Sequence, residues 1–239
     1  MNITLKKRAI VVVTALALVG AVASAPASSA ASTSRYITIS ADGTVKVTPD
    51  AVRINATSTT VAGTTKDALS ATASTSAAVR AVLLANGIAS KDIASQSISV
   101  YPEYNYTQDK GQVLVGYRAS QSLVIVIRKA STAGLIVDSI VNAGGDNFQL
   151  NGVTPFVLDN TKSTIAARTV AVKNARAKAA SYVSLLGVKL GKVNYLIENS
   201  SPVSYPPIMG ASKDSAGVTQ VDLGLQDVTV SISVQWALI

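Results

Sequence analysis

The chain has 239 residues, no histidine and no cysteine, and its 21 lysines and arginines exceed its 13 acidic residues by eight. Without histidine and cysteine, Ser-His-Asp and Cys-His catalysis, disulfide bonds and zinc sites of the usual type are all excluded. We therefore predict no metal, no cofactor and no enzymatic activity, and in an oxidising compartment we expect stability to come from packing alone.

The first thirty residues have the organisation of a secretory signal. Basic residues at 6–8 precede an apolar run over 9–23, and small residues follow. This run is shorter than the roughly 20 residues that a membrane-spanning helix needs. We expect cleavage near Ala30 and an exported chain, secreted, periplasmic or associated with the cell envelope, with no transmembrane helix. Residues 31–239 would then carry 18 basic and 13 acidic residues, too small an excess for a typical nucleic-acid-binding protein.

The first half of the remaining domain, about 36–128, predicts strands on either side of one helix. Alternating side chains predict strands at 36–40 and 44–47, then a turn at Pro49-Asp50 and a strand from Val52. The helix begins after Thr64, which can cap it with Asp67 three residues later, and ends at Asn86-Gly87. Its predicted inward stripe consists of Leu69, Thr72, Ser76, Val79 and Leu83.

Two further strands, at 93–106 and 114–128, are predicted to form a hairpin that turns at 108–111. The second of them is apolar on both faces around Leu123 to Ile127, which predicts a central strand covered from both sides.

The second half, about 129–239, repeats the mixture of strands and helices. It predicts a short helix over 131–143 that ends in a left-handed Gly144, and a strand over 148–158 bent at Pro155. A long helix begins at Asp159 or Asn160 and stops at Gly187. Strands follow at 190–197 and 228–238. The predicted core positions of the long helix are Val172, Ala175, Ala179 and Leu186. The segment 199–223 shows no periodicity and is predicted to be a long loop.

Several short motifs occur in a recognisable order along the chain. They are the segment 40–50 ending in Pro-Asp, 86–88 with 91–93, 101–104, 116–120 leading into 123–128, 175–179 leading into 186–193, and the alternating last strand. In this order they resemble the SIMPL-domain family over nearly all of residues 31–239. The resemblance implies an α+β fold of antiparallel β-sheets with helices packed on them, built from two intertwined β/α halves. It also implies export, a tendency to self-assemble and a role in envelope stress protection, and it supplies no catalytic residues.

Seven basic residues and no acidic residue lie between 160 and 197. On a helix, Lys162, Lys173 and Arg176 share one face, whereas Arg168 and Lys178 fall elsewhere. These three residues are a candidate site for an anionic envelope polymer, although the scatter of the basic residues favours an ordinary solvated helix surface. Aromatic residues are sparse in this window, which argues against nucleic acid as a partner.

Four tyrosines cluster around the predicted hairpin: Tyr101, Tyr104, Tyr106 and Tyr117. Such a cluster can be an aromatic platform for a sugar or peptide, part of a subunit interface, where tyrosine is enriched, or a cap at the end of a sheet with the hydroxyls in water. The interface and capping interpretations together outweigh ligand binding. We predict that these side chains form a homo-oligomeric contact, with the loop 199–223 presented outward or packed between subunits. The predicted function is therefore assembly or partner binding, and the alternative is a binding module for anionic polymers.

Overall fold

The computed structural model describes residues 35–109, 111–199 and 219–239, together with the backbone of 203–204. The predicted signal and much of the predicted loop lie outside these residues. The described elements, in chain order, are β1 (Tyr36–Val47), β2 (Ala51–Ala62), α1 (Thr65–Ala85), β3 (Ile93–Thr107), β4 (Gly111–Ile127), α2 (Ala133–Gly144), β5 (Phe148–Phe156), α3 (Thr161–Leu186), β6 (Leu190–Glu198), β7 (Val203–Ser204) and β8 (Gln226–Leu238).

These strands form two antiparallel sheets. Sheet one has the order β1-β8-β6, with β7 also paired to β8, and α3 packs on it. Sheet two has the order β3-β4-β2-β5 and carries α1 and α2. Each sheet takes one strand from the other half of the sequence, because β1 pairs with β8 and β5 pairs with β2. The predicted α+β fold with intertwined halves is confirmed.

Sheet two has a core of branched aliphatic residues. Ile54, Ile125 and Ile140 are fully buried between the sheet and its helices, together with Leu83 of α1. On the opposite face of β4, Val124 and Val126 are only half-buried. The prediction that β4 is covered on both sides is therefore wrong, because the helices of this sheet cover one face only.

The cap of α1 forms as predicted, since the Thr64 hydroxyl accepts a hydrogen bond from the Asp67 amide. The predicted stripe is wrong at Leu69, which is 42% exposed, whereas Ala68 is buried. Position 68 continues the four-residue spacing from Thr72, and position 69 is rotated by about 100° from it. By length and composition alone α1 could cross a membrane, but the core helix of a soluble protein passes the same test, and α1 packs along its buried stripe on sheet two.

Small residues bring α3 close to sheet one. Its buried positions recur almost every fourth residue and consist of Thr164, Ala167, Ala171, Ala175, Ala179 and Val183. A Cβ atom on Gly43 of β1 would lie 2.1 Å from the Ala167 carbonyl oxygen and 2.2 Å from the Ala171 nitrogen. The prediction that Val172 and Leu186 fill the core is wrong, because these side chains are 45% and 64% exposed. At this spacing, only the smallest side chains fit between helix and sheet.

The end of α2 differs by one residue from the prediction. Gly145, not Gly144, has the positive φ, at 54°. Gly144 is needed for a different reason, because a Cβ there would lie 2.2 Å from the Cβ of Phe148. The predicted stop of α3 is confirmed, since Gly187 is left-handed with φ at 68°.

The predicted loop 199–223 contains ordered contacts at both of its described ends. The Asn199 amide donates to the Ser231 carbonyl, and β7 then pairs with β8 at Val203↔Thr229 and Ser204↔Val228. The prediction of a segment without secondary structure is therefore wrong at 203–204. At the other end, Val221 and Leu223 pack against the core of sheet two. Residues 200–202 and 205–218 lie outside the described part.

Candidate functional site: a tyrosine-bearing hairpin arm

The hairpin of β3 and β4 extends beyond the rest of sheet two. Pairing between β2 and β4 ends at Ala62↔Tyr117, whereas β3 and β4 remain paired out to Thr107↔Gly111. Residues 103–109 and 111–116, here called the arm, thus form a two-stranded ribbon with no third strand from this chain among the described residues. An isolated two-stranded ribbon is marginally stable in water.

The arm exposes large apolar side chains on both faces. Tyr104 is paired with Leu114, and the two are 49% and 48% exposed. Tyr106 lies two residues further along the same face and is 78% exposed. Exposed Val113 is paired with Asn105 on the other face, so the apolar surface wraps around the ribbon. Exposed apolar surface of this kind occurs where a protein contacts another protein, a membrane or a ligand.

The four predicted interface tyrosines do not occupy equivalent places. Tyr104 and Tyr106 lie together in the arm. Tyr101 is exposed at its base on the opposite face, and Tyr117 is half-buried at the last three-stranded position.

Three features mark the base of the arm. A Cβ on Gly116 would lie 2.6 Å from the Ala62 carbonyl oxygen, so the chain passes close to the end of β2 at this point. The register also shifts between Glu103 and Tyr104, which marks a β-bulge where the arm leaves the sheet. Beside the bulge, the Arg118 guanidinium donates two hydrogen bonds to the Glu103 carboxylate and thereby lowers the pKa of that carboxyl.

The three predicted polyanion-binding residues are all exposed on α3, on the side away from sheet one. Lys173 and Arg176 lie about 5 Å apart along the helix axis, and Lys162 lies about 16 Å further towards the N-terminus. Within the described residues, no salt bridge forms at any of the three. Other cations of this helix are engaged: Arg168 pairs with Glu198 at 2.8 Å, and Lys178 donates to the Ser40 carbonyl.

In the part of the chain that the structure describes, no three His, Cys, Asp or Glu side chains converge as a metal site requires. Asp92 and Arg128 form a two-point ion pair with distances of 2.7 and 2.8 Å, and the carboxylate is largely buried. This pair joins the start of β3 to the end of β4 and has a structural role.

Sequence reasoning found the arm tyrosines but not their apolar neighbours Val113, Leu114 and Val115, which are also exposed. A signal was present, since these three residues break the alternation expected of a strand with one wet face.

Comparison with known proteins identifies relatives without identifying a reaction. The family model SIMPL, described as a protein of unknown function (DUF541), matches residues 37–236. The chain is 32% identical over 181 residues to the 26 kDa periplasmic immunogenic protein of Brucella melitensis, covering 72% of this chain and 70% of that protein. It is 30% identical over 137 residues to the uncharacterised protein YggE of Escherichia coli, covering 56% of this chain and 54% of YggE.

Proposed function

The chain belongs to the SIMPL family, and from this premise we propose that it is an exported, non-catalytic protein of the cell envelope that acts by assembling with copies of itself. The name of the Brucella relative, a periplasmic protein, supports the exported location. A part in envelope stress protection is proposed from the family resemblance alone.

The exposed arm is the observation that carries this proposal. Six apolar side chains at or beside the arm are at least 42% exposed: Tyr101, Tyr104, Tyr106, Val113, Leu114 and Val115. Covering them with a second copy would remove apolar area from water and give the two-stranded ribbon a packing partner. Because the contact is apolar, assembly should persist at high salt, where surface ion pairs are screened.

We expect the purified protein to have the mass of a discrete multimer, and the double variant Tyr104→Ser/Tyr106→Ser to have the mass of one chain. Absolute mass from light scattering after size exclusion, at low and at high salt, measures both. Tyr182→Ser is the matched control, because Tyr182 is 45% exposed on α3, far along the chain from the arm. A monomeric unaltered protein, or a multimer that survives the double variant, would falsify the proposal.

A second candidate function, binding of an anionic envelope polymer, is supported by the unpaired cations on α3. Their spacing of about 16 and 5 Å along one helix face suits an extended chain of negative charges. We expect retention of the protein on immobilised heparin to weaken with salt, and to be largely lost in Lys173→Gln/Arg176→Gln. The control Lys178→Gln should stay retained, because Lys178 is directed to the Ser40 carbonyl. Retention that ignores salt would rule this function out.

A further inference from the structure

The face of sheet one that points away from α3 carries a group of hydrogen-bonded side chains around Gln235. Gln235 belongs to this face, because the residues that alternate with it along β8 are buried in the core beneath α3. Its Nε2 atom donates to the Thr38 hydroxyl of β1 at 3.1 Å and to the Tyr195 hydroxyl of β6 at 3.3 Å. Its Oε1 atom accepts a hydrogen bond from Asn194 Nδ2 at 3.0 Å. One amide thus connects side chains of β1, β8 and β6.

A β-bulge in β6 brings two consecutive side chains onto this face. The register with β8 shifts between Val193 and Tyr195, so Asn194 is an extra residue relative to β8. In a regular strand, Asn194 and Tyr195 would point to opposite faces of the sheet. Here both side chains contact Gln235. Bulges recur at sheet edges and beside active sites, where they re-aim a side chain.

Two exposed tyrosines flank the amide. The Tyr195 hydroxyl reaches Gln235 on the next strand, so the ring leans across the sheet, and the residue is 41% exposed. Tyr36 is 57% exposed and lies on the same face of β1, two residues before Thr38. The two tyrosines are two strands and two residues apart, about 12 Å between Cα atoms at regular strand spacing. We call this set of residues the Gln235 cluster: Tyr36, Thr38, Asn194, Tyr195 and Gln235.

The Gln235 cluster offers both apolar and hydrogen-bonding contacts to a ligand. A tyrosine ring has an apolar face and a polar hydroxyl. The hydroxyls of Thr38 and Tyr195 accept from Gln235 and can each donate a proton outward, and the Asn194 Oδ1 atom can accept one. None of the five residues is charged, so the cluster suits a neutral ligand, in contrast to the cations on α3.

We propose that the Gln235 cluster binds a linear, neutral oligosaccharide of β-linked sugars. A sugar ring has an apolar face of C–H groups, which can stack on a tyrosine ring, and hydroxyls at its edge, which can pair with amides and hydroxyls. A β-linked chain is extended, so it can lie along the sheet and contact both tyrosines at once. The cluster lies on sheet one, whereas the arm belongs to sheet two, and the inference does not rest on assembly through the arm.

Titration of the purified protein with oligosaccharides of different shape tests this proposal. Cellotetraose and chitotetraose are extended, β-linked chains. Maltotetraose contains the same glucose units as cellotetraose, but its α-linkages curl the chain. We expect calorimetry or amide NMR shifts to show cellotetraose or chitotetraose binding about tenfold or more tightly than maltotetraose, because only an extended chain contacts both tyrosines. No binding of either extended chain, or equal binding of maltotetraose, overturns the proposal.

Variants of the two tyrosines test the stacking contacts. Tyr195→Ala and Tyr36→Ala should each weaken binding of the extended chain by about tenfold, because each removes an apolar ring. Tyr195→Phe keeps the ring and should retain most of the affinity. Tyr182→Ala is the control, because Tyr182 is similarly exposed, at 45%, but lies on α3. Unchanged binding in both alanine variants contradicts the proposal.

The mass of the variants in solution distinguishes a sugar site from a contact between copies of the chain. Light scattering should give Tyr195→Ala and Tyr36→Ala the mass of the unaltered protein. A lower mass in either variant would mean that the Gln235 cluster is covered by a second copy, and this result also overturns the proposal.

Discussion

Replacing Gly43 by alanine should destabilise the chain by about 3 kcal/mol or more, because the new methyl group has no space. The added Cβ would lie 2.1 Å from the Ala167 carbonyl oxygen and 2.9 Å from the Ala171 Cα, and both are backbone atoms of α3. A side chain could rotate away, but a helix backbone must move as a whole. The shift would open the packing along the entire alanine stripe on sheet one.

Thermal unfolding of Gly43→Ala measures this effect, with an expected fall in melting temperature of about 6–12 °C. Gly63→Ala is the matched control, since no atom lies within 4 Å of a Cβ at that position and its φ is not positive. The control should be neutral or slightly stabilising, because alanine restricts the unfolded chain. Similar melting temperatures for the two variants would show that α3 does not approach β1 as closely as described.

Arg128→Gln should destabilise the protein at neutral pH, because it leaves the buried Asp92 carboxylate without its partner. The Asp92 side chain is only 7% exposed, whereas that of Arg128 is 49% exposed. Hydrogen bonding from Arg128, partly offset by burial, lowers the pKa of Asp92 from its ordinary value of 3.8. Ionised Asp92 therefore favours the folded state above that value, and the contribution disappears as the pH falls through the lowered pKa.

Melting temperatures at pH 7 and pH 3 test this coupling. The melting temperature of Arg128→Gln should lie well below that of the unaltered protein at pH 7. The difference should be smaller at pH 3, because protonation of Asp92 begins to remove the charge that the variant leaves unpaired. Lys46→Gln is the control, because its ion pair with Asp227 is exposed and should contribute little at either pH. A gap that is independent of pH would mean that Arg128 stabilises the fold by packing and not through Asp92.

Local patterns in the sequence were sufficient to predict most helices and strands. Alternating side chains predicted the strands, and Thr64 and Gly187 predicted one end each of α1 and α3. Each of these signals depends only on neighbours within a few residues. The buried face of α3 was not predictable in the same way. Val172 is more apolar than Ala171, but the close approach at Gly43 admits only the smaller residue. That distance is set by packing between elements that are far apart in the chain.

The candidate site in the hairpin was likewise predictable only in part. Its tyrosines are evident in the sequence. That the hairpin extends beyond the sheet depends on where β2 ends, at Ala62, which the sequence of the hairpin does not determine.

The alanine stripe of α3 has a consequence for how uniquely the helix is positioned. Alanines at 167, 171, 175 and 179 form a repeat that nearly superimposes on itself when the helix slides by one turn. Apolar packing alone would therefore allow α3 to lie at more than one position along sheet one. Polar contacts distinguish these positions. Asn174 and Lys178 donate hydrogen bonds to the Asp42 and Ser40 carbonyls, and Arg168 pairs with Glu198. These exposed contacts add little free energy, but they select one position of the helix among near-equivalents.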